Sequence, residues 1–371
     1  MWSKTLQDAH QIPNHCLNDL QSTRIESAHT LHADWYHNES IASLERAHIF
    51  DKSWQYAGPE SFVAEPGSFY PIDLNGKPIL LVKDANGSIN AFYNICRHRG
   101  GPLATKPGKA RMLRCQYHGW SYKHSGELIG TPSFEGAQEF DPKCFGLKSV
   151  GLVNWRGLLF VQIDSTGPAF EQIFSDVASR PDTPCDIAKL NFYRRDTYRV
   201  QANWKLYVDN FLEGYHVGMV HPELATVLDT SNYVSELANH WSLQHAPLQN
   251  RPNPYTQGSG AAHYYFVCPN FMLNMVPGRL QVNSVIPRGV HQCDVVFDYF
   301  YEELSAKDLE DKARSDREFS DLVQKQDIDI CESVQLALSS GGYERGRYSV
   351  SEEKSLHHFH EWYRAKFSKI I

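Results

Sequence analysis

Residues 94–120 read NICRHRGGPLATKPGKARMLRCQYHGW, and the reading of this stretch decides how the rest of the chain divides. It holds Cys96-x-His98, sixteen intervening residues, and then Cys115-x-x-His118. Two cysteines and two histidines in paired turns can hold one zinc ion tetrahedrally, or a [2Fe-2S] cluster in which imidazoles replace thiolates on one iron. Zinc fingers usually pair Cys with Cys and His with His. Here each turn carries one of each, so each can clasp both irons of a cluster. Neutral imidazoles in place of thiolates reduce the negative charge on such a cluster and raise its potential. Gly100-Gly101-Pro102 and Gly119-Trp120 close the two turns and bring backbone near whatever they hold.

Outward from this stretch the texture is that of short strands. Ile79-Leu80-Leu81-Val82 and Leu158-Leu159-Phe160-Val161 are apolar runs, punctuated by the turn signals Asn75-Gly76, Asn86-Gly87 and Ser125-Gly126. An all-β domain is expected over residues 54–165. Upstream, Ile41, Leu44, Ala47 and Ile49 recur at helical spacing, with Asn38 or Ser40 as cap. Residues 1–53 are therefore expected to be a helical segment packing with a second domain, 166–371. That domain begins with a proline-containing connection, 166–200, followed by a helix over 203–225 with Trp204, Tyr207, Phe211 and Tyr215 on one stripe. Alternation through Val295, Phe297, Tyr299 and Tyr301 marks antiparallel strands within 263–302, and helices are expected near 306–339 and 351–368. The expected class is α+β, a sheet backed by helices.

At 371 residues the chain exceeds the usual size of a single core. A net charge of −7 gives no basic footprint for nucleic acid or an anionic membrane surface. The first thirty residues lack the apolar run of a secretory signal, and no stretch is long enough to span a bilayer. Eight irregularly spaced cysteines do not resemble a disulfide scaffold and fit a reducing, cytoplasmic setting.

A second constellation lies in residues 203–224, NWKLYVDNFLEGYHVGMVHPEL. His216 and His221 are five apart and do not share one face of a straight helix, so both can ligate one metal only if the helix ends or bulges between them. Gly218 and Pro222 make such a break available. Two imidazoles and one carboxylate on one face of an iron leave the other face open to O₂ and substrate.

Both constellations together resemble the catalytic (alpha) subunits of Rieske non-haem iron oxygenases, over residues 34 to 365. The resemblance implies an N-terminal all-β Rieske domain and a C-terminal α+β, helix-grip-like catalytic domain with an antiparallel sheet. It implies that Cys96, His98, Cys115 and His118 hold the [2Fe-2S] cluster, and that His216, His221 and an aspartate on a late helix hold a mononuclear Fe(II). The stretch QKQDIDICESVQ supplies that aspartate as Asp327, with Asp329 as the alternative. By the same resemblance Glu213 bridges an iron-ligand histidine to a cluster-ligand histidine of a neighbouring subunit, in a head-to-tail ring, most often a homotrimer. Electrons would come from a separate NAD(P)H-dependent reductase or ferredoxin, since no glycine-rich dinucleotide fingerprint follows a strand here.

Nearer the C-terminus, Cys331-Glu332-Ser333-Val334-Gln335, Gly346-Arg347-Tyr348, Glu353-Lys354 and His357-His358-Phe359-His360 look like the closing segment of choline monooxygenases and related enzymes of quaternary amines. That likeness implies hydroxylation of a small quaternary amine, with choline to betaine aldehyde hydrate as the leading expectation. A quaternary ammonium donates no hydrogen bond and needs aromatic faces; Tyr264, Tyr265, Phe266, Phe271 and Tyr299 are the candidates from the sheet. The rival readings are an N-demethylating monooxygenase of glycine betaine, carnitine or another methylated amine, an aromatic-ring hydroxylase, a Rieske electron carrier, and a zinc-stabilised binding protein.

Overall fold

A continuous Ile-Leu-Leu-Val run needs apolar surroundings on both faces of its strand, and the unit Asp51–Pro168 supplies them. The computed structural model describes residues 12–250, 252–254, 260–303 and 305–370. In this unit β1 (Gln55–Pro59), β9 (Gly151–Trp155) and β10 (Leu158–Gln162) form one sheet in the order β1-β10-β9. β2 (Ser68–Leu74), β3 (Lys77–Lys83), β4 (Ile89–Tyr93) and the short β5 (Gly108–Lys109) form a second, β4-β3-β2-β5. β6 (Leu113–Arg114), β7 (Ser121–Tyr122) and β8 (Leu128–Gly130) form a third. Ile79 and Leu81 of β3 pack on Val63, Leu159 and Val161. Leu80 and Val82, pointing the other way, pack with Cys96, Trp120 and Tyr122. The turn between β2 and β3 uses Asn75 and Gly76, both left-handed (φ 55° and 81°), as a twisted two-residue hairpin requires.

The other unit runs to Phe50 and resumes at Ala169. Its frame is a seven-stranded antiparallel sheet, β11-β17-β16-β15-β14-β13-β12. The strands are β11 (Asn191–Val200), β12 (Val234–Leu237), β13 (Trp241–Pro247), β14 (Ala261–Val267), β15 (Phe271–Val276), β16 (Arg279–Gly289) and β17 (Gln292–Tyr301). β11 corrects the expectation of a mere connection over 166–200. Its charged residues hide the strand pattern because they are paired across the sheet: Arg195 meets Asp298 through two bonds of 2.7 Å, and Arg199 Nε meets Asp294 at 2.5 Å.

Helices of this unit include α1 (Asn14–Asn18), α2 (Glu39–Leu44), α3 (Trp204–Phe211), α4 (Val217–Val220), α5 (Pro222–Ala225), α6 (Ala306–Ser339) and α7 (Lys354–Phe367), with a further short helix at Glu171–Phe174. Asn38 caps α2, its Oδ1 accepting from Ser40 and Ile41 N–H. Residues 1–11, the start of the segment expected to be helical, lie outside the described residues. The N-terminal segment joins one core with α3 and α7: Trp35 meets Tyr363 and Phe367 edge-on at 5.3 and 4.9 Å, and Phe359 is fully buried. Inside that core Lys205 Nζ lies 2.5 Å from Glu45 Oε1, while Trp204 Nε1 and Tyr363 Oη also donate to Glu45. A buried ion pair is tolerable only with its remaining bonds made, so this network fixes where α3 starts. No helix among the described residues is long and apolar enough to cross a membrane.

Candidate metal centres

The two turns carrying Cys96 and Cys115 share one hydrogen-bond plan. In each, the cysteine carbonyl accepts a glycine N–H four residues on, at 3.0 Å (Gly100, Gly119), and both glycines are left-handed, φ 74° and 77°. The cysteine N–H then donates across the loop, Cys96 to Gly101 at 2.8 Å and Cys115 to Trp120 at 2.9 Å. Asn94 fastens the first loop's return by accepting from Leu103 and Ala104 N–H and donating to Ala104 O. Both cysteines are buried, and the rings of His98 and His118 lie 4.6 Å apart. His98 is stacked on Trp120 at 4.9 Å, with a buried Nδ1 that has no hydrogen-bond partner. A buried nitrogen left without a hydrogen-bond partner suits a metal ligand. A Cβ on Gly101 would lie 3.1 Å from Cys115 Sγ, so glycine keeps that space clear. Tyr122 Oη lies 3.3 Å from Cys96 Sγ and accepts the Arg97 N–H at 3.0 Å, the kind of sulfur contact that tunes a cluster's potential. His118 is exposed beside exposed Tyr117, placing the nitrogen edge of this site at the surface of its unit.

The second centre is assembled from elements far apart in sequence. The helix expected over 203–225 is corrected to three pieces. Asn203 caps α3 by accepting the Lys205 N–H, and α3 ends at Phe211. Glu213 then turns back so that its Oε2 accepts the His216 N–H at 3.0 Å, and Pro222 opens a new turn at α5. Tyr215, expected on a buried stripe, is 64% exposed because the helix has already ended. This break brings His216 and His221 together, ring centroids 5.0 Å apart.

One donor atom each from His216, His221 and Asp327 lies within 4.8 Å of the other two. His221 Nε2 is 2.9 Å and His216 Nε2 3.8 Å from Asp327 Oδ1. The outer nitrogens are held as metal-ligating imidazoles are held: His216 Nδ1 at 2.6 Å from Glu213 Oε1, and His221 Nδ1 at 2.7 Å from Gln326 Oε1. Asn210 donates to Asp327 Oδ1 at 2.6 Å. Burial opposes a charge on His221, but the bond and charge of Asp327, with Gln326, outweigh it and raise its pKa. Asp329, the alternative, is exposed and pairs with Lys325 instead.

Beside these three residues opens a cavity of about 120 Å³. Tyr207, Phe211, Tyr233, Tyr264 and Phe297 line it, and Asn274, Arg279, Gln281 and Asn283 form a polar wall. Tyr264 Oη, Asn274 Oδ1 and Asn283 Oδ1 are buried there without partners. Arg279 is held by Asp316 at 2.7 Å. Of the five aromatic candidates only Tyr264 lines the cavity. Tyr265 and Phe271 sit at the opposite parity of their strands, against Trp241 and Phe174. Phe266 shares Tyr264's face but packs on Phe359, and Tyr299 lies under Arg279. Tyr233, Phe297 and Gln326 were not singled out as site residues from sequence. Phe297 was visible in the alternation of β17, and Gln326 as the neighbour of Asp327.

A cluster site of mixed sulfur and nitrogen donors and a separate mononuclear site of two histidines and a carboxylate define an O₂-dependent iron oxygenase. Family models agree: the Rieske [2Fe-2S] domain matches residues 53–141, and the ring hydroxylating alpha subunit (catalytic domain) matches 187–369. The chain belongs to the Rieske non-haem iron oxygenases, as a catalytic subunit and a monooxygenase. It is 32% identical over 349 residues to the chloroplastic choline monooxygenase of Amaranthus tricolor, covering 91% of this chain and 77% of that protein. It is 29% identical to the carnitine monooxygenase oxygenase subunit of Escherichia coli (strain K12), covering 89% of each. A solved quaternary ammonium Rieske monooxygenase superposes with a TM-score of 0.85 at 25% identity, over 96% of this chain and 98% of that one.

Proposed function

We propose that this chain is the oxygenase component of a system that hydroxylates a small quaternary amine. The observation carrying this reading is the cavity beside His216, His221 and Asp327, lined both by aromatic rings and by unpartnered polar atoms. An ammonium ringed by methyl groups is held by aromatic faces, each contact contributing about 0.5–2 kcal/mol. The polar wall answers a second group on the substrate, and an amide can present either its carbonyl or its NH₂. The likeness to a carnitine monooxygenase subunit and to a solved quaternary ammonium monooxygenase makes a carnitine- or betaine-like zwitterion the first reading. Choline, whose hydroxyl the same amides can bind, is the second, favoured by the 32% identity to the Amaranthus enzyme.

In this reading Cys96, His98, Cys115 and His118 hold the cluster, and His216, His221 and Asp327 hold the iron. Bound iron supplies O₂ activation. Glu213 and Gln326 hold the outer protons of the two imidazoles, and the aromatic walls orient one C–H bond and exclude water. The balance is O₂, two electrons and two protons in, with one oxygen entering the C–H bond and the other leaving as water. Hydroxylation beside the nitrogen lets the carbinol collapse, breaking C–N to give a carbonyl and a tertiary amine. Oxidation of choline at its alcohol carbon leaves C–N intact. Electrons come from an external reductase or ferredoxin. Glu213, next to His216 and flanked by exposed Tyr215 and Met219, is the bridge to a neighbouring copy's cluster in a head-to-tail trimer.

The test is O₂ uptake by the reconstituted protein with a ferredoxin and reductase, offering carnitine, glycine betaine and choline, with products identified by mass spectrometry. Uptake with a zwitterion and release of a tertiary amine supports the first reading; aldehyde hydrate from choline alone selects the second. Coupled turnover only with aromatic compounds would falsify both.

A further inference from the structure

The N-terminal segment carries another convergence of donor side chains, separate from both iron centres. His15 and Cys16 sit on α1, while His32 caps the 3-10 turn Ala33–Tyr36 and Asp34 lies in that turn. One donor atom from each of these four lies within 4.8 Å of the other three. His15 Nε2 is 2.5 Å from Asp34 Oδ2, and the His15 and His32 rings lie 4.0 Å apart. His32 Nδ1 is 3.9 Å from Asp34 Oδ1.

We propose that His15, Cys16, His32 and Asp34 form a zinc site that fastens α1 to the turn Ala33–Tyr36 within the N-terminal segment. One thiolate, two imidazoles and one carboxylate make a four-donor set of the softness zinc prefers, and one that magnesium and calcium do not. The iron triad contains no sulfur, so the two sites differ in the metal they favour. The surroundings are those of a metal site as well. His37 Nε2 lies 3.0 Å from Asp34 Oδ1, orienting the carboxylate. Asp19, which ends α1, accepts the His32 N–H and the Trp35 indole N–H, both at 3.1 Å, and pairs with Arg364 of α7. The two turns that carry the donors are thus bolted together independently of any ion.

Zinc binding has a defined proton balance. Cys16 gives up its thiol proton to solvent as its sulfur bonds the metal, and zinc at His32 Nδ1 takes the lone pair that now accepts the Asp34 N–H at 3.1 Å. The 2.5 Å contact between His15 and Asp34 opens by about 1 Å to admit the ion between them, and His15, 49% exposed, has room to move.

The test loads the iron-replete protein with one equivalent of zinc chloride under reducing conditions, followed by gel filtration, metal analysis and zinc-edge X-ray absorption. The expected result is one zinc per chain with iron unchanged, a single sulfur at about 2.3 Å and nitrogen or oxygen at about 2.0–2.1 Å. His15→Gln, a surface change that leaves the fold intact, weakens zinc retention by about tenfold or more, and Cys16→Ala removes the sulfur signal. Zinc also raises the melting temperature of the wild type but not of His15→Gln. Four outcomes overturn the proposal: no retained zinc, equal retention by His15→Gln, zinc that displaces iron with only nitrogen and oxygen neighbours, or zinc with two sulfurs, the signature of the cluster cysteines.

Discussion

The two iron centres are built on opposite plans. The cluster site is local: Cys96 to His118 span 23 residues, and two loops of the same hydrogen-bond design, each closed by a left-handed glycine, carry all four donors. The mononuclear site is remote. His221 and Asp327 are 106 residues apart, and they meet only because α3 is locked to the N-terminal segment and α6 lies alongside it. A local site depends on turn chemistry, a remote one on the packing of the whole unit.

Substitutions at each centre test the difference between them. The largest effect is expected from Asp327→Ala, which should lower iron from about three to about two per chain and abolish substrate oxidation, while the cluster's EPR signal persists. Asp329→Ala should leave both unchanged. Next, Lys205→Met strands Glu45 as an unpaired buried charge and should cost about 3–5 kcal/mol in the unfolding of the catalytic unit, with the cluster's visible spectrum lost only at higher denaturant.

Acid should act on the same unit through His263. Its burial holds the pKa down at about 4, well below the ordinary imidazole value. The unfolded chain therefore takes up its proton first, and stability falls as pH drops from 6.5 toward about 4, by about 3 kcal/mol in all. Denaturant melts over this range should show that decline reduced in His263→Gln. Gln326→Ala, which frees the outer nitrogen of His221, should weaken iron binding by about 10–100-fold without touching the cluster; a chelator competition measures it. Smallest is Tyr122→Phe. Losing a hydrogen bond to Cys96 sulfur should lower the cluster's potential modestly in a redox titration and leave iron occupancy alone.

The same contrast explains what was legible in the sequence. The cluster loops could be read because donors, glycines and flanking hairpin turns are consecutive. His216 and His221 were equally plain, but the ending of α3 at Phe211 was not, since Tyr215 continues the aromatic stripe in sequence while Glu213 folds back on His216. β11 was missed because Arg195 and Arg199 look like surface residues until Asp298 and Asp294 are placed opposite them. Aromatic residues of β14 and β15 could be recognised as sheet residues, yet parity decides which face each occupies. Tyr264 and Tyr265 are neighbours in sequence and point to opposite sides of the sheet.

Gln326 and Asp327 are consecutive residues, and between them they touch both nitrogens of the His221 ring. A shift of α6 at this turn therefore disturbs both contacts together. Loss of a bound metal is therefore expected to accompany local opening of that turn of helix. The rate at which iron leaves should follow the rate at which the backbone amides around Asp327 exchange with solvent, so that retention of the metal is a matter of timing as much as of affinity.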